Sequence, residues 1–258
     1  MSSVVNAIVL AGGSLEECLR PVVPLVKHKA WIPLGGRLMV ERVLDALDGC
    51  RSRIGQRVLV ARKEDVPPAI LARVDRVAEP GSTLIQSVEN GMRAVVDSSA
   101  PLLAIPCDMC FLEPGSIVDF LDRCVKRPAE VHYSYVRRET SESRYPGLRH
   151  TWVKMREGTF CGGGLFLLTS ESVTRAQAFI DRMTVARKRP WKLAGILGPK
   201  IIFKLLLGML SVRDAEERMS LLMQAETVGI ESPCPDVGFN VDAPEELATA
   251  RRLAEAGS

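Results

Sequence analysis

Asp108 and Asp242 are the residues whose setting most plainly suits chemistry. Each closes an apolar stretch, "LLAIPCD" before the first and "VGFNVD" before the second. Short, continuous apolar runs of this kind suit buried strands. In a parallel sheet both carboxylates then project at the carboxyl edge, where open α/β sheets bind ligands. The same edge would carry Gly12 and Gly13, which end the run Ala7 to Leu10 in "NAIVLAGGSLEECLR". A glycine pair there lets the backbone approach a bound group closely, as in a phosphate loop, or it makes an ordinary tight turn. Two hard oxygen ligands beside a phosphate loop suit Mg²⁺, which takes a few carboxylates together with phosphate oxygens and waters. Asp242 also stands where it could cap the helix opening at "APEEL", whereas Asp108 has no obvious helix to cap. Arg20, Lys27, Lys29 and Arg37 lie close enough in sequence to the glycines to neutralise charge on phosphoryl oxygens, although most basic residues are solvated surface.

Positioning these groups requires a layered α/β scaffold. "RVLVA" at 57–61, "PLLAIPCD" at 101–108, "EVHYSYVR" at 130–137 and "GLFLL" at 164–168 read as further strands. Leu38 to Leu47, the stretch after Ser82, and "GSIVDFLDRCV" carry apolar residues at helical spacing, with Ser82 placed to cap the second. The last helix opens at Ala243-Pro244-Glu245-Glu246, with proline and acids in its first turn. Alternating strands and helices through the first half imply βαβ units and a largely parallel sheet. Residues 137–161, rich in Arg, Gly and aromatics, read as a hairpin or lid, and 190–224 as a helical insertion in a single domain spanning 1–258.

Composition narrows the class. The chain has 258 residues, 47% hydrophobic and 25% charged, as expected of a soluble globular protein. A net charge of +3 is too small to imply nucleic acid. Seven scattered cysteines without a secretory pattern suggest reduced thiols and a cytoplasmic setting. Ile201 to Leu210 is apolar but interrupted by Lys204, and falls far short of the ~20 residues of a membrane span. "KLAGILGPKIIFKLLLGMLSV" suggests a helical pair packed on the domain or at a dimer contact; the sharper alternative is a greasy cover for a lipid-like or isoprenoid acceptor, or a peripheral membrane contact.

In order along the chain, "AIVLAGG", "KAWIPLGGRLMVERVLDAL", "IPCDMCFL" and "FNVDAPEELATARRL" resemble the successive motifs of nucleotidyltransferases related to molybdenum-cofactor guanylyltransferase. That superfamily includes the sugar-1-phosphate and methylerythritol-phosphate nucleotidyltransferases. The likeness runs from Val4 to Leu112 and returns at 161–168 and 238–253. It implies a Rossmann-like three-layer α/β/α sandwich with a mostly parallel mixed sheet, and transfer of a nucleoside monophosphate from a nucleoside triphosphate (NTP) to a phosphorylated small molecule. By the same resemblance Leu10, Ala11, Gly12 and Gly13 hold the nucleotide, largely through backbone amides. Lys29 contacts phosphate oxygens, with Arg20 as a helper, and Gly81, Ser82 and Ser87 help recognise the base. Asp108 and Asp242 bind Mg²⁺ or Mn²⁺. Lys154, Arg156, Gly162 and Gly163 meet the acceptor.

The chain departs from the family pattern in three ways. Lys29 follows Gly13 by sixteen positions, Arg20 is a loose match for the loop arginine, and the proline after the metal-binding Asp is replaced in "DMC". "CDMC" mimics a C-x-x-C motif, but Cys107 and Cys110 flank a strand end and read as packing residues. Arg137, Arg138, Arg144 and Arg149 could clamp an anion or form a solvated lid surface. Neither G-x-G-x-x-G nor G-x-x-x-x-G-K-[ST] is present, which argues against a dinucleotide oxidoreductase and a P-loop kinase. Two alternatives stay open: a nucleotide-binding or regulatory protein of the same fold, and a nucleotide-sugar glycosyltransferase, whose usual D-x-D would here have Cys110 in its third position.

Overall fold

The computed structural model describes residues 4–97, 99–186 and 190–256, so the outermost positions of the 1–258 span lie outside the described residues. The strands are β1 (Val5–Leu10), β2 (Pro33–Leu34), β3 (Arg37–Leu38), β4 (Ile54–Val60), β5 (Arg76–Ala78), β6 (Leu102–Pro106), β7 (Val131–Arg137), β8 (Val153–Met155), β9 (Gly158–Leu168) and β10 (Thr227–Ser232). The helices are α1 (Met39–Gly49), α2 (Pro68–Leu71), α3 (Leu84–Ala94), α4 (Pro114–Lys126), α5 (Arg138–Arg144), α6 (Ser170–Ala186), α7 (Pro190–Leu197), α8 (Pro199–Leu206), α9 (Val212–Met223) and α10 (Pro244–Ala256).

The main sheet runs β10-β7-β9-β6-β1-β4-β5, with β8 paired to β9, while β2 and β3 form a separate two-stranded ribbon. The pairs β1–β4, β1–β6, β4–β5 and β7–β10 are parallel, and β9 runs antiparallel to β6, β7 and β8. Helices cover both faces, so the mostly parallel mixed sheet of an α/β/α sandwich is what the chain forms. β1 is central and hidden on both sides, which explains its unbroken apolar run. Ala7 and Val9 pack with Val43, Leu44 and Phe120 on the α1–α4 face, and Ile8 packs with Val58, Ile85 and Val88 on the face under α3 and α6. Helix α3 approaches β1 so closely that a Cβ on Gly91 would stand 2.6 Å from Ile8 Cγ2. Only glycine admits that contact, at a modest cost in helix propensity.

Three expectations need correction. The strand anticipated in "VGFNVD" is absent: Pro235–Gly238 forms a 3₁₀ turn, and the residues after it take no regular structure. Phe239 and Val241 instead pack with Leu19, Ile32, Leu34 and Met39 in an apolar cluster outside the sheet. Helix α3 is capped by Thr83, whose side chain accepts from the Gln86 amide, and not by Ser82. Asp242 does not cap the last helix through its carboxylate; Glu246 Oε2 accepts from the amides of Asp242 and Ala243, at 2.7 Å each. Within 137–161 lie α5, β8 and the start of β9, and within 190–224 lie α7, α8 and α9.

Candidate active site at the carboxyl edge of the sheet

β1 delivers Leu10 to the sheet edge, and the Ala11 amide continues the ladder to the Val60 carbonyl at 2.9 Å. A Cβ on Gly12 would come within 2.4 Å of Pro80 Cβ, so glycine is required for the segment before Gly81 and Ser82 to lie against the loop. Gly13 meets nothing within 4 Å and is exposed. The next fifteen residues fold back on themselves. Ser14 bridges His28 in antiparallel fashion, and His28 Nδ1 lies 3.2 Å from the Gly13 carbonyl. That return is why Lys29, sixteen positions on, is brought back beside the diglycine.

Lys29 opens a single 3₁₀ turn and is only 7% exposed. Its Nζ stands 2.6 Å from Glu16 Oε1, 2.7 Å from Asp242 Oδ1 and 2.9 Å from Asp108 Oδ2. An ammonium has three protons, so each has a carboxylate acceptor. Burial alone would pull the Lys29 ammonium down. The charges of Asp108 and Asp242 and hydrogen bonds to Asp242 and Glu16 outweigh burial and hold its pKa above the ordinary lysine value. Burial pushes the Asp108 carboxyl up, opposed by Lys29 and reinforced by the like charge of Asp242. Asp242 is wetter, with its side chain 54% exposed, and Asn240 Nδ2 donates to its second oxygen.

One cation facing three carboxylates leaves the cluster anionic, where a triphosphate would find repulsion unless a further cation were present. Glu16 Oε2 is buried and has no hydrogen-bond partner among the described residues. Among those residues no group of three or more His, Cys, Asp or Glu side chains is placed to hold a metal ion. Mg²⁺ seldom relies on such a group, since it keeps waters and recruits substrate phosphates. Lys29 Nζ already takes an oxygen of each of the three carboxylates, so Asp108 and Asp242 could supply only part of a cation's oxygen shell, the rest coming from phosphates and water.

The other anticipated residues divide. The Gly81 amide donates to Ser87 Oγ at 3.0 Å, and Ser82 bonds Gln86 Oε1 through its amide and hydroxyl at 3.0 and 2.7 Å, so both serine side chains are engaged in building the start of α3. Gly162 and Gly163 wall a pocket of about 190 Å³ together with Asp108, Tyr133 and Asn240. Packing also demands these glycines, because a Cβ would fall 1.8 Å from the Tyr133 hydroxyl at the first and 2.3 Å from Ser134 Oγ at the second. A polar cleft of about 420 Å³ adjoins at Gly162 and Asn240 and is lined by Arg149, His150 and Asp242. Lys154 and Arg156 line neither space; Lys154 runs beside Gly208 and Arg156 pairs with Glu157. Arg20 is exposed and has no ion pair among the described residues. Arg137, Arg138 and Arg144 pair with Glu231, Glu142 and Glu113, which leaves Arg149 as the arginine of that group facing the cleft. Cys107 and Cys110 are free and buried, and burial raises both thiols, Cys110 to about 12, as suits packing residues. Glu16 and Asn240 escaped the sequence reading. An acid three residues beyond the diglycine, where the related loop is basic, is the signal that could have found the first.

The family of MobA-like NTP transferase domains matches residues 7–190. The chain belongs to that family. It is, by class, an NTP-dependent nucleotidyltransferase. A hypothetical transferase from Thermus thermophilus is 32% identical, with a TM-score of 0.82 over 95% of this chain and 99% of that one. Two more distant structures share the fold of this MobA-like chain. The 4-diphosphocytidyl-2C-methyl-D-erythritol synthase of Anaerococcus prevotii is 14% identical, with a TM-score of 0.59 over 98% of this chain and 99% of that one. Molybdopterin-guanine dinucleotide biosynthesis protein A of Archaeoglobus fulgidus is 13% identical, with a TM-score of 0.52 over 98% and 100%. Among curated proteins none matches the chain.

Proposed function

We propose that this MobA-like chain transfers a nucleoside monophosphate from an NTP to a phosphorylated small molecule and releases pyrophosphate, working as one unit over 1–258. The observation that carries the reading is the meeting of Lys29, Asp108, Asp242 and Glu16 on one ammonium beside Gly12 and Gly13. An oxygen of the acceptor's phosphate attacks the α-phosphorus in line; the new phosphorus–oxygen bond forms as the bond to pyrophosphate breaks. No protein nucleophile is needed, and positioning with electrostatics supplies the rate. Backbone amides of Gly12 and Gly13 hold the triphosphate, the Ala11 amide being spent on the Val60 carbonyl; Gly81 to Ser87 flank the nucleoside, and Lys29 neutralises charge on the non-bridging oxygens. Asp108 and Asp242 would hold Mg²⁺ or Mn²⁺, which would supply Lewis-acid charge neutralisation when bound. The acceptor's phosphate lies against Gly162 and Gly163, with Arg149 as counter-charge in place of Lys154 and Arg156.

The test is pyrophosphate release from a panel of NTPs and phosphorylated acceptors, with and without divalent cation. Asp108→Ala is expected to lower kcat/KM by about 10²–10³, the loss typical of removing one preorganised electrostatic contact. Nucleotide binding without pyrophosphate release from any pair would leave a binding protein of the same fold.

A further inference from the structure

Next to the candidate site, on the sheet face covered by α3, α6 and α9, lies a hollow of about 340 Å³. Ala104, Phe166 and Leu168 form its floor, and Val88, Ala176 and Met223 its roof. No charged residue lines it among the described residues. The serine and threonine hydroxyls at its wall are already engaged: Ser172 Oγ donates to the Thr169 carbonyl at 2.8 Å and Thr227 Oγ1 to the Ala225 carbonyl at 3.0 Å. Water needs two or more polar partners to occupy such a space, and among the described residues only the Tyr133 hydroxyl lines it without a hydrogen bond shown. Protein interiors leave few voids larger than a water, whereas ligand sites begin at about 300 Å³. The hollow is also continuous with chemistry. Pro106, Tyr133 and Phe166 line both it and the 190 Å³ pocket that holds Asp108 and the glycines of β9. Tyr133 and Met219 border in addition a second apolar space of about 270 Å³ under α9.

We propose that the acceptor is an amphiphile, a phosphate monoester of a single hydrocarbon chain, whose phosphate sits beside Asp108 and whose chain enters the hollow past Pro106, Tyr133 and Phe166. This deepens the nucleotidyltransfer reading and rests on it. The transfer is the one already described, an acceptor phosphate oxygen displacing pyrophosphate, and the product is a nucleoside diphosphate esterified to the chain.

The experiment is calorimetric titration of the 258-residue protein, with Mg²⁺ present throughout to offset the charge of the carboxylates, with butyl, hexyl, octyl and decyl phosphate, each below its micelle-forming concentration, and with octanol. Affinity is expected to rise about fourfold per methylene, the factor for burying one CH₂ group, until the hollow is full. Octanol should bind more weakly than octyl phosphate. Ala176→Leu, which fills part of the hollow, should end the gain at a shorter chain. Affinity that does not change with chain length, or octanol binding as tightly as octyl phosphate, would overturn the proposal. Because the titration needs no turnover, a flat series alongside intact pyrophosphate release would sink the chain site alone. Absent pyrophosphate release with a rising series would sink the transfer reading and leave the chain site standing.

Discussion

Two neighbouring regions of this fold solve opposite physical problems. At the carboxyl edge of β1 and β6, Lys29 is surrounded by more negative charge than it can balance, and Glu16 keeps one buried oxygen without a partner. A short distance along the same sheet, beyond Pro106 and Phe166, the hollow under α6 and α9 carries no charge on its described walls, and its serine and threonine hydroxyls are satisfied. The first region carries negative charge in excess and the second empty space in excess. An unsatisfied charge and an unfilled apolar space both cost stability, and in each case a ligand can supply what the chain does not. The contrast teaches that a site for an amphiphilic substrate needs no mixed surface, only two pure ones meeting at a boundary, here Tyr133.

The sharpest way to break the contrast is to remove the cation on which the three carboxylates converge. Lys29→Met leaves Glu16, Asp108 and Asp242 facing one another without a counter-ion. Breaking a buried ion pair from one side costs about 3–5 kcal/mol, and the lower end applies because Asp242 is half exposed. Thermal unfolding should show that loss, and added Mg²⁺ should recover part of it by replacing the missing positive charge. A variant as stable as the parent without metal would mean that the three carboxylates do not feel one another. The opposite sign is expected in the hollow. Ala176, 1% exposed, faces empty space, and Ala176→Leu should raise stability by about 0.5–2 kcal/mol as cavity-filling changes do. A loss of about 1–3 kcal/mol, the usual result of overpacking, would show that the walls already touch.

The charged region was far more legible in the sequence than the apolar one. Asp108 could be placed because β6 is a continuous buried run and its carboxyl end is the ligand edge of any such sheet. Lys29 could be placed only by resemblance, since nothing in the spacing shows that Ser14 and His28 pair to close the intervening loop. Asp242 arrives at the same point on a segment that is not a strand, held by the packing of Phe239 and Val241, which local pattern does not report. The hollow was invisible because a void is a property of tertiary fit. Val88, Phe166 and Met223 are ordinary core residues in sequence, and only their failure to meet makes a site. β10, short and interrupted by Gly229, was missed for a related reason: its strand character comes from pairing with β7 and not from its own composition.

The smallest effect concerns the other face of β7, turned away from the hollow, and asks how strongly it rejects charge. His132 stands next to Tyr133 in that strand, is 4% exposed, and lies 2.8 Å through Nε2 from the Arg127 carbonyl, to which it donates. Burial lowers its pKa below the ordinary histidine value, outweighing the backbone hydrogen bonds that favour the charged ring. The unfolded chain therefore binds the proton more readily than the folded one. Stability is complete above about pH 6.5 and falls as pH drops from there towards the folded pKa, with a slope of at most ~1.4 kcal/mol per pH unit for one proton. His150, also lowered by burial, adds in the same direction. Chemical denaturation between pH 7.5 and 5 should show this decline, and His132→Gln, which keeps a donor for Arg127, should flatten part of it. An unchanged slope in that variant would mean that another group carries the decline and that the face of β7 under α4 tolerates the imidazolium.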